Sequence, residues 1–293
     1  MIMKVAITGV HGMLGSDVAK VLQEQKYEVI PFPSHAELDL ADFGKVREFV
    51  LKHKPEVIVH LAASRNPDVV EKDPAEGWRS NFNSTNNMVR VLLETGGVMC
   101  YGSTDSVFSG HDDEGPYHEF SMKHPLNIYG QTKYASEQII KQKMQKYFIL
   151  RLPWLFGLGG RPEINPLLNL FKKAKAGEKT VVGSDMWSSA CATLDAGWAI
   201  GKIIATREWG TYHLASEPAV SRTGMMRYIL QQAGVDTSLV EETNYVDTRK
   251  PARRAHYAVM TSVLLEPTFG FKMPSWQIGM KKCIEELKKQ GVI

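Results

Sequence analysis

Cysteine is scarce in this chain: Cys100, Cys191 and Cys283 are the only three in 293 residues, and none sits in a CxxC spacing. A disulfide framework or a metal centre is therefore not expected, and the usage fits a reducing cytoplasm. An excess of charge of one sign is also missing. Lys plus Arg number 35 against 32 for Asp plus Glu, a balance that makes no case for nucleic acid or a membrane surface as partner. No apolar run approaches the roughly 18 residues of a membrane span. The N-terminus enters an apolar, strand-like run directly and shows no signal-peptide pattern. No repeat or low-complexity tract is evident. These absences leave a soluble, intracellular chain, long enough to bury a large core and to add a smaller lobe to a main body.

What is present begins with TGVHGMLG near the N-terminus. Met3 to Thr8 is apolar and rich in β-branched residues, which predicts a buried first strand. Gly9, Gly12 and Gly15 punctuate the turn that follows, and Leu14, Val18, Val21 and Leu22 recur at helical spacing up to about Gln25. Glycines here permit a tight turn, approach of a phosphate to the backbone, and close packing of helix on strand. The helix N-terminus adds unpaired N–H groups and a positive dipole end for a diphosphate.

Strand and helix signals then alternate. Tyr27–Phe32, Glu56–Ala62, Val98–Tyr101 and Tyr147–Leu152 read as further strands, with a long helix in the region Asp73 to Thr95. The alternation predicts an α/β fold, a Rossmann-type doubly wound parallel sheet covered on both faces. Beyond Trp154 the pattern loosens. The expected division is a dinucleotide-binding domain over residues 1–155, including the helix with Tyr129 and Lys133, and a smaller C-terminal substrate-binding lobe over 156–293, some of whose segments return to the body. Trp276–Lys289 reads as an amphipathic helix with Ile278, Cys283 and Leu287 inward.

Tyr129 and Lys133 stand four residues apart in YGQTK, about 120 residues after the glycine turn, which puts a phenol and an ammonium on one helix face. In a carbonyl reduction the phenol donates a proton to oxygen as hydride reaches carbon, and a cation near it stabilises the phenolate that remains. Ser103-Thr104-Asp105 follow the fourth strand, at the carboxyl end where open α/β sheets place ligands.

The GxxGxxG spacing resembles that of the extended short-chain dehydrogenase/reductase family. Three segments narrow the likeness: STDSVFSG, HPLNIYGQTK and LRLPWLFG, in that order. Together they resemble the dTDP-4-dehydrorhamnose reductase group, closely over residues 98–157 and loosely over the whole chain. The resemblance implies NADPH-dependent reduction of the 4-keto group of a nucleotide-linked 4-keto-6-deoxyhexose. Thr104 then bonds the substrate carbonyl, Tyr129 is the acid, and Lys133 is its partner and a ligand of the nicotinamide ribose. The cofactor is expected against Gly9, His11, Gly12, Met13, Leu14 and Gly15, against Ser34, Asp39 and Leu40, and against Leu61, Ala62 and Ala63. Asp105, Ser106 and Trp154 fall at substrate positions. No Asp or Glu occupies the usual ribose-reading position near Ser34, which favours NADPH and leaves NADH acceptable. Asp39 matches the family's adenine-contacting Asp, or else caps the helix from Phe43.

Departures from the pattern bear on the substrate. Ser106 stands where the group has Tyr, and AASRNPDVVEKDP replaces its usual text after the third strand. A UDP-linked acetamido sugar is therefore an alternative substrate. A second alternative is a non-catalytic, NADP-binding regulatory role, because AASRNPDVVEKDP is similar to text of the methionine adenosyltransferase regulatory subunit. In RKPARR, Arg249, Lys250, Arg253 and Arg254 form either a solvated loop or a contact for the diphosphate, with Arg253 the residue singled out. His111, His118 and His124 beside Asp112-Asp113-Glu114 lack metal-ligand spacing and read as a polar surface loop. The oligomeric state is left open, a homodimer included.

Overall fold

The computed structural model describes residues 2–111, 115–244 and 250–293, so the Asp112-Asp113-Glu114 run and Arg249 lie outside the described residues. Strand β1 (Lys4–Thr8) turns into α1 (Met13–Glu24), and β2 (Glu28–Pro31), α2 (Phe43–His53) and β3 (Val57–His60) follow. Next come α3 (Pro67–Lys72), α4 (Pro74–Trp78) and α5 (Ser84–Thr95), with a π-helical turn over Arg79–Asn83. Strand β4 (Val98–Thr104), α6 (Ile128–Lys143) and β5 (Tyr147–Leu152) complete the first half.

The second half holds β6 (Trp154–Phe156), α7 (Pro166–Lys175), β7 (Thr180–Gly183), β8 (Trp187–Ala192), α8 (Thr193–Ile204), β9 (Gly210–His213) and β10 (Ser216–Ser221). It ends with α9 (Arg222–Ala233), β11 (Val240–Thr243), β12 (Tyr257–Ala258), α10 (Leu265–Phe269) and α11 (Trp276–Lys289). Six parallel strands form the main sheet in the order β2-β1-β3-β4-β5-β9. This is a doubly wound α/β sheet whose strand order reverses between β1 and β3, and such a switch point opens a crevice at the carboxyl ends of the strands.

Burial explains the two-sided cover. Val5 and Ile7 pack with Val18 and Leu22 of α1 and with Ala196 and Ile200 of α8. Ala6 faces the other way, onto a cluster with Val46, Val50, Met88 and Leu92. Successive residues of one strand thus serve opposite faces. A third cluster joins Phe156, Phe171, Met225, Ile229, Trp276 and Ile284 around β8, which pairs with β6, β10 and β12. Helix α8 and strand β9 return to the main sheet. No helix among the described residues is long and apolar enough to cross a membrane.

Two element readings need correction. Ile278 is 51% exposed, while Trp276, Met280, Cys283, Ile284 and Leu287 face inward. Steps of four, three, one and three residues from Trp276 trace one stripe, and Ile278 lies nearly opposite its start. Asp39 does not cap α2. Asp42 does, its side chain accepting a hydrogen bond from the backbone N–H of Lys45.

Candidate active site

The crevice at the switch point is built by Thr8, the last residue of β1. Its Oγ1 accepts from the backbone N–H groups of Leu61 and Ala62, at 3.0 and 3.1 Å, and lies 2.8 Å from His60 Nδ1. With both N–H groups donating to it, the hydroxyl gives its own proton to Nδ1, so the ring proton of His60 sits on Nε2. Burial, with the Lys133 charge beside it, pulls this histidine down to about 3. The ends of β1 and β3 are thereby locked together where the glycine turn begins.

That turn fits a dinucleotide diphosphate on two grounds. A Cβ on Gly15 would lie 2.1 Å from the carbonyl oxygen of Gly9, so only glycine lets the helix stand this close to the strand end. Gly12 is the N-cap of α1 and brings no side-chain acceptor to the first-turn N–H groups. Those donors are what a phosphate at a helix N-terminus uses. His11 and Gly12 are exposed on the turn, Met13 and Leu14 half-buried, and Ala63 half-buried just beyond β3.

At the ribose end, Ser34 donates from its backbone N and from Oγ to Glu37 Oε2, at 2.9 and 2.7 Å. These bonds hold the Glu37 carboxyl below its ordinary range, with His11 adding attraction from the glycine turn. A carboxylate therefore stands beside Ser34 although none is adjacent in sequence. Asp39 is paired with Arg79 and accepts from the backbone N–H of Ala41, while the Leu40 carbonyl accepts from Asn87.

At the end of β4, Thr104 Oγ1 donates to Asp105 Oδ1 at 3.0 Å and accepts from the Ser106 backbone N at 3.2 Å. Helix α6 starts against this segment because position 130 is glycine. A Cβ there would lie 2.2 Å from the Ser106 carbonyl oxygen. Asn127 caps the helix through Gly130 N and donates its amide to the Arg253 carbonyl. Tyr129, in the first turn of α6, is thus set beside the Thr104 end of β4, and the Thr104 side chain acts on its phenol.

Burial pushes the Tyr129 phenol up to about 12, opposed by the nearby Thr104 side chain and by the Arg65 charge, with Asp105 reinforcing the rise. Burial also pulls Lys133 down to about 7, and Glu137, one turn further on, favours its charged form. The Lys133 ammonium donates to the Gly102 carbonyl at 2.6 Å and lies 4.1 Å from the Tyr101 ring centroid. The Arg65 charge thus adds to the forces that lower the phenol, and the Lys133 ammonium is engaged on the Gly102 carbonyl at the strand end.

The segment continues through Asp105, whose carboxyl burial raises, and Ser106, whose hydroxyl lies 3.2 Å from Asp105 Oδ1. Trp154 is half-buried at the start of β6, and the Arg222 guanidinium lies 4.5 Å from its ring centroid. Of the basic segment, Arg254 is paired with Asp68 at 2.9 Å, and Lys250 and Arg253 are exposed. Arg65, Glu37, Asn81 and Arg222 sit at this site without belonging to any sequence motif. For Arg222 the only local signal is Ser221 before it, a helix-start residue.

A family model described as the RmlD substrate binding domain matches residues 3–289. The structure superposes on that of a Bacillus anthracis dTDP-4-dehydrorhamnose reductase in complex with NADP, with a TM-score of 0.91 and 31% identity, covering 98% of this chain and 100% of that one. The chain belongs to the dTDP-4-dehydrorhamnose reductase family. This is a group of NAD(P)-dependent oxidoreductases of the extended short-chain dehydrogenase/reductase type. A Streptomyces griseus dTDP-4-dehydrorhamnose reductase is 28% identical over 87% of this chain and 84% of that one. The bovine methionine adenosyltransferase 2 subunit beta is 31% identical over 65% of this chain, and the match spans 58% of that subunit's length.

Proposed function

We propose that this family member reduces the 4-keto group of a nucleotide-linked 4-keto-6-deoxyhexose with NADPH, NADH being accepted, and that dTDP-4-dehydrorhamnose is its substrate. The observation that carries the reading is the start of α6, with Tyr129, seated against the Thr104–Ser106 segment at the carboxyl end of β4, on the same side of the sheet as the uncapped glycine turn. Residues 1–155 mainly hold the cofactor and 156–293 mainly enclose the sugar. Gly9, Gly12, Met13 and Gly15 receive the diphosphate, Ser34 and Asp39 the adenosine end, and Lys133 the nicotinamide ribose. The cofactor, when bound, supplies hydride to the carbonyl carbon.

The chain's own groups handle the proton. Thr104 turns its hydroxyl from Asp105 to the carbonyl oxygen and orients it. Tyr129 transfers its phenolic proton to that oxygen, the product is the alcohol, and the phenolate regains a proton from solvent. Asp105, Ser106 and Trp154 wall the sugar, and Arg253 lies at the rim. Tyr129→Phe keeps the ring and removes the proton. General acid catalysis contributes a factor of about a hundred to ten thousand, so the variant should lose at least about a hundredfold in NADPH oxidation with dTDP-4-dehydrorhamnose while binding NADPH as the wild type does. A loss below about tenfold would assign the acid to another group.

The likeness to the methionine adenosyltransferase subunit supports a second reading, a regulatory NADP-binding protein. Wild-type protein that binds NADPH but turns over neither dTDP- nor UDP-linked 4-keto sugars would favour it.

A further inference from the structure

Tyr129, Lys133 and Glu137 recur every four residues along α6 and so share one face of the helix. The first two are the reductase pair, and Glu137 stands outside it. Glu137 and Arg151 of β5 are both fully buried. Glu137 Oε1 accepts from Ser103 Oγ at 2.6 Å and from Arg151 Nε at 2.9 Å, and its Oε2 accepts from Arg151 Nη2 at 2.7 Å. Ser103 and Arg151 are register partners in the sheet, so one carboxylate spans β4 and β5. One residue earlier on β4, the Gly102 carbonyl accepts from Lys133. Two consecutive residues of β4 are thus bonded to two consecutive turns of α6, and the next residue of the strand is Thr104.

Charged and titratable groups surround this carboxylate from several elements. Lys141 of α6 lies 3.9 Å from Glu137 Oε2. Arg151 Nη1 donates to the Glu119 carbonyl and lies 3.3 Å from Nε2 of His213 on β9. Lys123 also feels the Glu137 charge, and burial pulls it down to about 8. Burial holds His213 at about 4 and His60 of β3 at about 3, and it pushes the Tyr101 and Tyr129 phenols up, so all four are neutral near pH 7. Burial opposes ionisation of Glu137 as well, yet the Arg151 and Ser103 bonds hold its carboxyl below the ordinary range. A buried ion pair often stabilises a fold no better than well-packed apolar residues do. A fixed negative charge one turn from Lys133 does what an apolar residue does not: it favours the ammonium over the neutral amine, against burial.

We propose that Glu137 is a positioning residue of this site, its carboxylate serving as the counter-charge of the Lys133 ammonium and, through Ser103, holding Thr104 in register with the helix that carries Tyr129. The inference rests on the reading of Thr104, Tyr129 and Lys133 as the reductase site. Its test follows NADPH affinity, by nicotinamide fluorescence, and turnover of dTDP-4-dehydrorhamnose as pH rises from 6 to 10 in the full-length protein. Both should fall where Lys133 loses its proton. Because Glu137 favours the charged form, Glu137→Gln should move that fall to lower pH by about one unit or more. Glu137→Asp keeps the charge and should restore most of the shift. Ser103→Ala also keeps the charge but removes the bond to the strand, so kcat should drop roughly tenfold while the fall stays at its wild-type pH. Lys123→Met, which removes the neighbouring lysine, should leave the fall in place. If Glu137→Gln does not fold, the double variant with Arg151→Met removes the buried pair as a unit and is read in the same way. No fall in the wild type, a fall at the same pH without the carboxylate, a fall abolished by Lys123→Met, or an unchanged kcat in Ser103→Ala each overturns the assignment and leaves the reductase reading intact. A wild type that binds NADPH but turns over neither dTDP- nor UDP-linked 4-keto sugars overturns the reductase reading, and the NADPH titrations then decide the link between Glu137 and Lys133 by themselves.

Discussion

Glu37 brings to Ser34 a charge that the residues adjacent in sequence do not announce. Position 34 carries no acid, yet Ser34 gathers the Glu37 carboxylate from three residues on and keeps it ionised at neutral pH. A 2′-phosphate at that end of the cofactor meets this negative charge, and a 2′-hydroxyl does not. Glu37→Gln should therefore strengthen NADPH binding by up to roughly fivefold, the scale of one exposed charge, with no gain for NADH. Nicotinamide fluorescence titrations of both cofactors measure it. Equal changes for the two cofactors would place Glu37 away from the ribose. Thr104, Tyr129 and Lys133 were legible as candidates because the STD and YxxxK texts carry them. Arg65 and Arg222 were not, since a single arginine in a loop or at a helix start has no spacing to recognise.

Among the elements, the segment from Pro74 to Thr95 is helical as its periodicity predicts, but a π turn over Arg79–Asn83 interrupts it. The turn draws Asn81 into a buried position, where its Oδ1 accepts from Ser64 N at 2.7 Å and its Nδ2 donates to Thr132 Oγ1 at 3.0 Å. Thr132 Oγ1 in turn donates to the Tyr129 carbonyl at 2.7 Å. One side chain thus ties the loop carrying Arg65 to the helix carrying the acid, which is the kind of place where π turns collect. Asn81→Ala leaves Ser64 and Thr132 without that partner. The expected cost is about 1–3 kcal/mol of stability, read from the denaturant midpoint, together with a lower kcat because loop and helix lose their shared tether. Unchanged kcat in a destabilised variant would confine Asn81 to a structural role. Ile278 makes the complementary point, because an apolar residue in an amphipathic helix declares its face only when the whole stripe is traced.

At the scale of the molecule, the sheet places a histidine where water cannot reach it, and acid should unfold the protein partly through that residue. His60 titrates at about 3 in the folded chain and near its ordinary 6.5 when unfolded. Between those values the unfolded chain binds the extra proton, so stability is full above pH 6.5 and falls as pH drops toward 3. The slope from this residue approaches about 1.4 kcal/mol per pH unit. Denaturant melts at pH 7, 6 and 5 should show it, and His60→Asn should flatten it; an unchanged slope would assign the acid lability elsewhere. The parallel α/β class, the glycine turn and the Tyr-Lys helix were readable in advance, because strand apolarity, helical spacing and glycine punctuation are local properties. The fold alone settled that the strands order as β2-β1-β3-β4-β5-β9, that Glu37 reaches Ser34, that Lys133 bonds the Gly102 carbonyl, and that Arg222 meets Trp154. Those contacts join residues through sheet order and lobe packing, and Arg222 and Trp154, 68 positions apart, become neighbours only when β6 and α9 fold around one core.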